Sequence, residues 1–427
     1  MTTSIGTDTS AAVFGYGIEG RSAVSWLRRL VCRHVRVIAS ERPSDLDRNV
    51  VWIADDDLDA ALSGVDVLIK SPGIKPSHPL MLAAQASGIQ TTSATALFVE
   101  QARAAGLAVI GVTGSKGKST TATLIAKTLE AASIPTILVG NIGRAALDVL
   151  EDVVSNRPVI VVEMSSYQTH DLTVGPSVAV ITRLFPEHLD WHGGVEPYYA
   201  AKLKIAATQR EDDLTIWNAA DPELARRAPF GPARHLAYGL GPAGFSDAHM
   251  KLRGPHNRLN ARAALCAASI FGGLPSHLEG VLATFPGLPH RLEDLGVFGG
   301  VRWINDSIAT APEAAVAALD AFGGEVKTYI GGGTDRGFDF APLARALASR
   351  AIPNVILLPP GGPSLLAAVA ELDAEASARA HVVSDLAEAV ALAARLAPPG
   401  STVLFSPASP SYGVYKNFEE RGNMFRG

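Results

Sequence analysis

A lysine inside a glycine-rich turn, between a β-branched run and a helix-forming stretch, most constrains the fold of this chain. Residues Leu107–Thr121 read LAVIGVTGSKGKSTT. Glycines let backbone N–H groups approach a phosphate, and a helix N-terminus adds the positive end of a dipole. The segment therefore predicts a strand, a phosphate-binding loop and a helix, which indicates an α/β fold that uses ATP.

Within this loop we expect Lys118 to reach the outer phosphates and the Ser119 hydroxyl to face Mg²⁺. The strict Gly-x-x-x-x-Gly-Lys signature is not met, because Val112 stands at its first glycine and Gly111 lies one residue earlier. A glycine-rich turn with an incidental lysine is the alternative, and the flanking strand and helix disfavour it. The predicted nucleotide contacts of the loop are Gly114, Ser115, Lys116, Gly117, Lys118, Ser119 and Thr120.

Composition narrows the class of protein. The 427 residues are 47% hydrophobic and 19% charged, which suits two to four domains with sizeable cores. A net charge of −5 provides no long-range attraction to nucleic acid or anionic lipid. Cys32 and Cys266 cannot form a four-cysteine zinc site and favour a reducing compartment. Without a transmembrane-length apolar run or a signal-peptide pattern, we expect a soluble cytoplasmic protein.

Three segments alternate strands with helices, which predicts three α/β domains built on parallel sheets. We place the domain boundaries near residues 104 and 286, giving domains 1–104, 105–286 and 287–427, with a hinge near residue 286. The predicted strands are Ala11–Phe14, Val35–Ala39, Val65–Ile69, Leu107–Val112, Pro158–Val162, Val178–Thr182, Leu214–Asn218, Val301–Ile304, Val326–Ile330, Val355–Leu358 and Thr402–Phe405.

The first segment contains a GxGxxG turn, Gly15-Tyr-Gly17-Ile-Glu-Gly20, with Glu41 about twenty residues later. Alone, this pattern suggests a dinucleotide-binding fold, but nothing else in the chain calls for hydride chemistry. We favour a nucleotide-linked ligand whose phosphates use the same turn, with Arg21 as a partner. Ser71-Pro72-Gly73 reads from its residues alone as a strand-ending turn.

Two acidic segments follow predicted strands of the central domain. Glu163 ends VIVVE and suits a magnesium ligand, with a capping carboxylate as the alternative. Glu187, His188 and Asp190 follow the next strand and suit a second cation or a general base.

Other polar residues are less specific. Lys202 and Lys204 lie on a predicted helix, where lysines usually form a solvated face. Asn257 and Asn260 are three residues apart at a helix start, hence on one face, and suit either amide bonds to a nucleotide or ordinary capping. Asp306 closes the strand VRWIN and suits a ribose, a cation or a cap.

The order and spacing of these motifs resemble the Mur ligases, the ATP-dependent amide ligases of peptidoglycan precursor synthesis. The resemblance covers nearly the whole chain, and LPHRLE with the NFEERG tail resembles the glutamate-adding branch. The matching motifs are GVTGSKGKST, GNIG at 140–143, EMSSYQ at 163–168, EHLD at 187–190, YYAAKLKI, GPHNRLN at 254–260, LPHRLE at 288–293, NDSIAT at 305–310 and SPASPSYGVYKNFEERG ending at 422.

The resemblance implies three domains that bind UDP-N-acetylmuramoyl-L-alanine, ATP and glutamate in chain order. The substrate carboxylate would attack the γ-phosphate, and glutamate would attack the resulting acyl phosphate. Lys118, Glu163, His188 and Lys202 are implied to be catalytic, with Ser119, Glu163, His188 and a carbamylated Lys202 around Mg²⁺. Further implied nucleotide or hinge contacts are Asn257, Asn260, His290, Arg291 and Asp306; implied substrate contacts are Gly15, Gly17, Ser71, Pro72, Gly73, Asn141, Ser165, Thr310, Arg336, Ser411 and Phe418.

Departures from the family pattern cluster at the implied amino-acid pocket. Ile308 and Arg336 stand where D-glutamate-adding members usually carry lysines, and Lys116 replaces the usual Asn or Asp of the loop. An alkyl side chain cannot hold a carboxylate, so the pocket electrostatics differ. We therefore favour the branch that adds L-glutamate before a separate epimerase acts, with the ordinary D-glutamate ligase as the alternative. We expect a monomer without nucleic-acid or membrane partners.

Other relatives fit less well. Folylpolyglutamate synthetases normally lack the N-terminal domain, the amidating relative needs four cysteines, and the diaminopimelate-adding ligase carries a DNPR motif that is absent here. A non-catalytic nucleotide-binding relative is expected to have lost Lys118, Glu163, His188 or Lys202, and all four remain.

Overall fold

The structure is a computed structural model that describes residues 5–335 and 337–427, except the side chain of residue 376. The described residues form three β-sheets, each in a separate stretch of the chain. The strands are β1 Ser10–Phe14, β2 His34–Ile38, β3 Val51–Ile53, β4 Val67–Lys70, β5 Gln90–Ser93, β6 Val109–Thr113, β7 Thr136–Gly140, β8 Val159–Glu163, β9 Val178–Ile181, β10 Leu214–Asn218, β11 Arg234–Tyr238, β12 Glu293–Phe298, β13 Val301–Asn305, β14 Val326–Gly332, β15 Asn354–Leu358, β16 Ala380–Val382 and β17 Thr402–Phe405.

Helices connect most of these strands. They are α1 Ile18–Arg29, α2 Leu58–Leu62, α3 Pro79–Ala86, α4 Ala94–Ala104, α5 Lys118–Ala131, α6 Leu150–Asn156, α7 Ser166–Thr169, α8 Leu189–His192, α9 Val195–Ala207, α10 Pro222–Arg227, α11 Pro255–Ser269, α12 Pro275–Thr284, α13 Pro312–Phe322, α14 Ala341–Ser349, α15 Gly362–Leu372, α16 Ala374–Ala378, α17 Leu386–Leu396 and α18 Phe418–Arg426. Two 3₁₀ turns occupy Ala146–Val149 and Gly323–Glu325.

The first sheet has the order β3-β2-β1-β4-β5, and all its pairs are parallel. The chain leaves β1 toward β2 on one side and later enters β4 on the other. Ligands of parallel sheets bind where the strand order reverses in this way, at the carboxyl ends of the strands. The turns after β1 and β4, which begin at Gly15 and Ser71, occupy that position.

The central sheet has the order β11-β10-β9-β6-β8-β7 and is also entirely parallel. β6 lies between β8 and β9 in this parallel sheet. The phosphate loop, Glu163 and the segment after β9 therefore lie side by side at the carboxyl ends of neighbouring strands. Gly111 serves packing inside β6, since a Cβ there would lie 2.8 Å from Pro176 Cγ and 2.9 Å from Ile205 Cδ1.

The third sheet has the order β12-β13-β17-β14-β15-β16. Its pairs are parallel except that β12 and β13 form an antiparallel hairpin. This hairpin adds an antiparallel edge that the sequence did not predict. The predicted α/β class with largely parallel sheets is confirmed.

Buried apolar side chains form the cores on the faces of these sheets. One cluster contains side chains of both the first and the central sheets, including Val13 and Ile160, which are fully buried. The chain divides into two compact units, Met1–Ala248 with His256–Val281, and His249–Pro255 with Leu282–Gly427. Within the part of the chain that the structure describes, no helix is both long and apolar enough to cross a bilayer.

Candidate active site

The phosphate loop connects β6 to α5 through two glycines that no larger residue can replace. Gly114 has φ 147°, and a Cβ there would lie 2.1 Å from Thr182 Oγ1. Gly117 has φ 91° and precedes the first residue of α5, and its Cβ would lie 2.5 Å from Asn260 Oδ1. The loop is thus held close to neighbouring segments, with the N-terminus of a fourteen-residue helix behind it.

The side-chain nitrogens of two lysines converge on this loop. Lys118 Nζ donates to the carbonyls of Gly114 and Ser115, each at 3.0 Å. Lys202 Nζ donates to the same Gly114 carbonyl at 2.8 Å from α9. Lys202 is only 2% exposed, so the interpretation of this lysine as part of a solvated face, made from its helix alone, is wrong. Burial, and secondly the charge of Lys118, hold the pKa of Lys202 well below its ordinary value.

Ser115 and Lys116 contact the segment after β9. The Ser115 hydroxyl lies 2.9 Å from Tyr198 Oη and donates to the Phe185 carbonyl at 2.8 Å. Lys116 forms a 2.7 Å ion pair with Glu187 while remaining half exposed. Burial opposes the charge of Glu187, but Lys116 and Lys118 outweigh it, so the pKa of Glu187 lies below its ordinary value.

Glu163, the last residue of β8, has a carboxylate that suits a cation. It is fully buried, and one oxygen accepts a 3.2 Å hydrogen bond from Asn141 Nδ2. The other oxygen, Oε2, is buried without a hydrogen-bond partner. An unsatisfied buried carboxylate oxygen is costly unless a ligand completes it, and carboxylates are preferred ligands of Mg²⁺. The donor set at this edge therefore fits a magnesium ion.

His188 lies on the other side of the phosphate loop, in the segment after β9. Its backbone is left-handed, with φ 53°, and its ring lies 5.1 Å from that of Tyr167. Partial burial, with a smaller contribution from Lys202, lowers the pKa of His188 below its ordinary value and favours the neutral, metal-binding form.

The predicted metal set mixes residue types. The predicted set contains the hydroxyl of Ser119 together with the side chains of Glu163 and His188. Ser119 is 6% exposed and lies at the start of α5. Among residues 5–335 and 337–427 no group of three or more His, Cys, Asp or Glu side chains converges on a metal-sized site. Besides Glu163 and His188, a cation here would consequently need Ser119, phosphate oxygens and Lys202 if that lysine carries a carboxylate.

Asn257 and Asn260 lie on one face of α11, as their spacing predicted. Asn260 Nδ2 donates to Asn257 Oδ1 at 3.0 Å, and Asn260 Oδ1 is the atom that limits the space at Gly117. This places the buried amide of Asn260 against the phosphate loop, with the buried amide of Asn257 behind it.

The turns of the first sheet also meet. The Ser71 hydroxyl donates to the Gly15 carbonyl at 3.1 Å, and a Cβ on Gly15 would lie 2.7 Å from Ser71 Oγ. Gly17 precedes α1 with open space beside it. Arg21, considered as a phosphate partner, forms an exposed ion pair with Asp45. Ser165 caps α7, where it forms a reciprocal capping box with Gln168.

The second compact unit carries the remaining predicted residues. His290 is 5% exposed and has φ 61°, with Nδ1 lying 3.0 Å from Asn305 Nδ2; Arg291 follows it. Asp306 accepts hydrogen bonds from the Ser406 hydroxyl at 2.8 Å and from the Leu292 amide at 3.1 Å. Its carboxylate thereby links the residue after β13 to the residue after β17 and the residue before β12.

A buried arginine organises the predicted amino-acid pocket of that unit. Arg421 in α18 is fully buried and donates to the Ser307 carbonyl at 2.7 Å and to the Ser409 carbonyl at 2.9 Å. The Ser307 hydroxyl in turn donates to the Phe418 carbonyl at 2.8 Å. Burial lowers the pKa of Arg421 to about 10, so the group stays charged at neutral pH.

Arg421 therefore connects the three segments that carry predicted glutamate contacts. Thr310 follows Ser307 by three residues, Ser411 follows Ser409 by two, and Phe418 begins α18. Sequence reasoning missed Arg421, because an arginine in a charged helix gives no sign of burial. Arg336 lies outside the described residues.

Comparison with known proteins identifies the family. Residues 112–246 match the Mur ligase middle domain, and residues 290–409 match the Mur ligase glutamate ligase domain. The UDP-N-acetylmuramoyl-L-alanine–L-glutamate ligase of Salinispora tropica is 38% identical, over 97% of this chain and 96% of that protein. The chain belongs to the Mur ligase family.

Further Mur ligases resemble this one over nearly its whole length. The protein of the same name from Xanthomonas axonopodis pv. citri is 37% identical, over 97% of this chain and 94% of its own. The UDP-N-acetylmuramoylalanine–D-glutamate ligase of Symbiobacterium thermophilum is 36% identical, over 97% of this chain and 96% of that protein.

Solved Mur ligases share the fold of this one. The MurF ligase of Thermotoga maritima, determined in complex with ADP, matches with a TM-score of 0.61 at 18% identity, over 99% of this chain and 95% of that one. The UDP-N-acetylmuramate–alanine ligase of the same organism matches with a TM-score of 0.60 at 17% identity, over 97% of this chain and 98% of that one. The predicted family and the ATP-dependent ligase class are confirmed.

Proposed function

We propose that this Mur ligase joins L-glutamate to UDP-N-acetylmuramoyl-L-alanine with conversion of ATP to ADP and phosphate. The observation that carries the proposal is the full-length match to relatives named for that reaction. The phosphate loop and the unsatisfied oxygen of Glu163 support it, since they supply the parts that phosphoryl transfer needs.

The first step would transfer a phosphoryl group. The alanyl carboxylate of the precursor attacks the γ-phosphate, and the bond to ADP breaks. Lys118 and the loop amides balance the charge on the phosphate oxygens. Asn257 and Asn260 on α11 contact the nucleotide. Ser119, Glu163 and His188 would hold Mg²⁺, which neutralises phosphate charge when bound.

The second step would form the amide bond. The amine of glutamate attacks the acyl phosphate, loses a proton and displaces inorganic phosphate. Thr310, Arg336, Ser411 and Phe418 are the proposed glutamate contacts, and Gly15, Gly17, Ser71, Pro72, Gly73, Asn141 and Ser165 are proposed for the UDP precursor. His290, Arg291 and Asp306 are proposed around the nucleotide and hinge.

Lys202 is proposed to act as a carbamate. Carbamylation needs a neutral amine, which attacks CO₂ and releases a proton. The burial of Lys202 beside Lys118 favours that neutral amine, and the product is a carboxylate on the side of the loop where the cation would bind. Carbon-13 NMR after labelling with ¹³C-bicarbonate is expected to give a carbamate signal that Lys202→Met lacks.

The choice of L- over D-glutamate rests on Ile308 and on the names of the relatives. Ile308 is half-buried in the loop that precedes α13, where a lysine would place a charge. An enzyme of this specificity implies an epimerase acting afterwards on its product. A ligase for D-glutamate is the second candidate, supported by the D-glutamate ligase relative.

The proposed setting is the cytoplasm, with the enzyme working as a monomer. Three domains with boundaries near residues 104 and 286 are proposed, of which the first two share one of the compact units. The separate sheets of β1–β5 and β6–β11 support a boundary within that unit.

Mass spectrometry tests the proposed reaction. The purified protein, UDP-N-acetylmuramoyl-L-alanine, ATP, Mg²⁺ and L-glutamate are expected to give a product heavier by one glutamyl residue. Lys118→Ala is expected to abolish it, whereas Lys127→Ala, on the same helix further from the loop, retains it. Absence of the product with both enantiomers of glutamate would contradict the proposal.

A further inference from the structure

Five side chains join the two ligand-binding turns of the first sheet to the two metal-binding segments of the central sheet. We call Glu19, Lys70, Gln168, Asp171 and Trp191 the seam. Glu19 lies in the first turn of α1, directly after the glycine turn that follows β1, and Lys70 directly precedes Ser71. Gln168 and Asp171 follow Glu163 by five and eight residues, and Trp191 follows His188 by three.

The first contact of the seam reaches the glycine turn. Gln168 Nε2 donates to Glu19 Oε1 at 2.5 Å and lies 3.0 Å from Thr95 Oγ1. Gln168 and Thr95 are each 1% exposed. Because Gln168 also closes the capping box of Ser165, the first turn of α1, which follows the glycine turn, is fixed to the segment that begins at Glu163.

The second contact is an ion pair beside the Ser71 turn. Lys70 Nζ lies 2.7 Å from Asp171 Oδ2, with side-chain exposures of 4% and 9%. Asp171 Oδ1 is 2.9 Å from His170 Nδ1. A buried ion pair is weak evidence for stability, since apolar residues of similar volume often serve as well. Here neither Lys70 Nζ nor Asp171 Oδ2 has a hydrogen-bond partner among the described residues, so the contact is an attraction between two buried charges.

The third contact reaches the Ser71-Pro72-Gly73 turn from the segment of His188. Trp191 Nε1 donates to the Gly73 carbonyl at 3.0 Å, and Trp191 is 8% exposed. The neighbouring Lys75 donates to the Asp190 carbonyl at 3.1 Å. Lys70 Nζ lies 5.6 Å from the Trp191 ring, so this contact adjoins the ion pair.

We propose that the seam positions the UDP precursor for phosphoryl transfer by fixing its binding turns against the Glu163 and His188 segments. This inference rests on the proposed function. One buried set of contacts then fixes the two parts of the site that hold the precursor. The turns would bind its diphosphate, and the Glu163 and His188 segments would hold the cation beside its carboxylate. An error of about 1 Å in such an arrangement costs about 100-fold in rate. The seam residues are positioning residues, since none touches the reacting atoms.

Steady-state kinetics of seam variants provide the first test. Trp191→Phe removes the indole N–H and reduces the indole to a phenyl ring, and Lys70→Met removes the ammonium. Each is expected to lower kcat at least about tenfold, with the KM for ATP within about twofold of wild type. Trp217→Phe is the matched control, on β10 with its ring 5.5 Å from Phe230, and is expected to leave kcat unchanged.

A double variant separates positioning from stability. Lys70→Met with Asp171→Leu removes both charges, so the protein is expected to fold with a melting temperature near that of wild type while kcat remains low. Recovery of the wild-type kcat in this double variant would overturn the inference. So would a Trp191→Phe enzyme within twofold of wild type in kcat.

Hydrogen exchange tests the seam without turnover. In wild type, UDP-N-acetylmuramoyl-L-alanine without nucleotide is expected to slow exchange at residues 15–20 and 71–75 and also at 163–171 and 187–192. In Trp191→Phe the effect at 187–192 is expected to be lost. Protection confined to 15–20 and 71–75 in wild type would overturn the inference alone, whereas absence of binding would overturn the proposed function with it.

Discussion

At the scale of single residues, Glu163 is central to the proposed magnesium site. Glu163→Gln preserves shape and the Asn141 contact, yet replaces a carboxylate oxygen by an NH₂ group that cannot bind a cation. We expect kcat to fall at least about 100-fold with little change in melting temperature. Glu100→Gln, at another buried acid of the same compact unit, is the control and is expected to remain active. An active Glu163→Gln enzyme would contradict the assignment.

Arg421 is the residue whose role the structure adds. Arg421→Lys keeps a charge but cannot reach both the Ser307 and Ser409 carbonyls, so we expect the KM for glutamate to rise about tenfold. The KM for the UDP precursor is expected to stay within about twofold. Unfolding in urea is expected to show a loss of about 2 kcal/mol. Equal changes in both KM values would indicate a general loss of structure instead.

Ile308 tests the basis of the stereochemical choice. Ile308→Lys introduces the cation that D-glutamate-adding members usually carry. We expect the ratio of kcat/KM for L- over D-glutamate to fall about tenfold. Ile308→Leu keeps an apolar side chain of the same size and is expected to leave the ratio unchanged. An unaltered ratio in Ile308→Lys would remove Ile308 from the argument.

The contrast between Glu163 and Arg421 shows what the sequence could provide. Glu163 ends a strongly apolar strand, so its place at the edge of the sheet was predictable from the pattern. Arg421 and Lys202 lie on helices among other polar residues, and their burial depends on segments distant in sequence. Lys202 was placed in the site only through the family resemblance.

At the scale of elements, the seam contact between Glu19 and Gln168 gives a prediction about how stability depends on pH. Burial raises the pKa of Glu19 above its ordinary value, and the hydrogen bonds from Gln168 and Thr95 oppose this only in part. The folded state therefore binds the proton more tightly than the unfolded state, so the ionised carboxylate lowers stability at neutral pH.

Glu19→Gln removes that charge, and its amide can accept from Gln168 through the oxygen and donate to the Thr95 hydroxyl through the nitrogen. We expect it to stabilise the protein by about 1 kcal/mol at pH 7.5. The difference is expected to shrink as the pH falls through the folded pKa toward the ordinary pKa of glutamate, because wild-type Glu19 then becomes neutral. Urea unfolding at several pH values measures it. A variant less stable than wild type at pH 7.5 would contradict this reasoning.

The strands show the same limit of sequence reasoning at larger scale. Every predicted strand is present, and the six that were not predicted, β3, β5, β7, β11, β12 and β16, are the two edge strands of each sheet. Most residues of β11, β12 and β16 are exposed or half-buried, so their sequences lack the apolar runs of interior strands. β7 is apolar, so its omission is not explained by exposure.

At the scale of the whole molecule, the two compact units carry different parts of the proposed chemistry. The first contains the phosphate loop, Glu163, His188, Lys202 and the seam. The second contains Asp306, Arg421 and the loops of Thr310 and Ser411. The machinery for ATP agrees with the family pattern apart from Lys116, whereas the departures at Ile308 and Arg336 fall in the second unit. Specificity for the amino acid is therefore expected to be a property of that unit.

The most direct measurement is phosphate release by the purified protein with ATP, Mg²⁺ and UDP-N-acetylmuramoyl-L-alanine. L-glutamate and D-glutamate are supplied in separate reactions, with Lys118→Ala as the inactive control. We expect turnover with L-glutamate and a kcat/KM at least about 100-fold lower with D-glutamate, a difference of about 2.7 kcal/mol. Turnover with D-glutamate alone would contradict it and make this an ordinary D-glutamate ligase with an altered pocket.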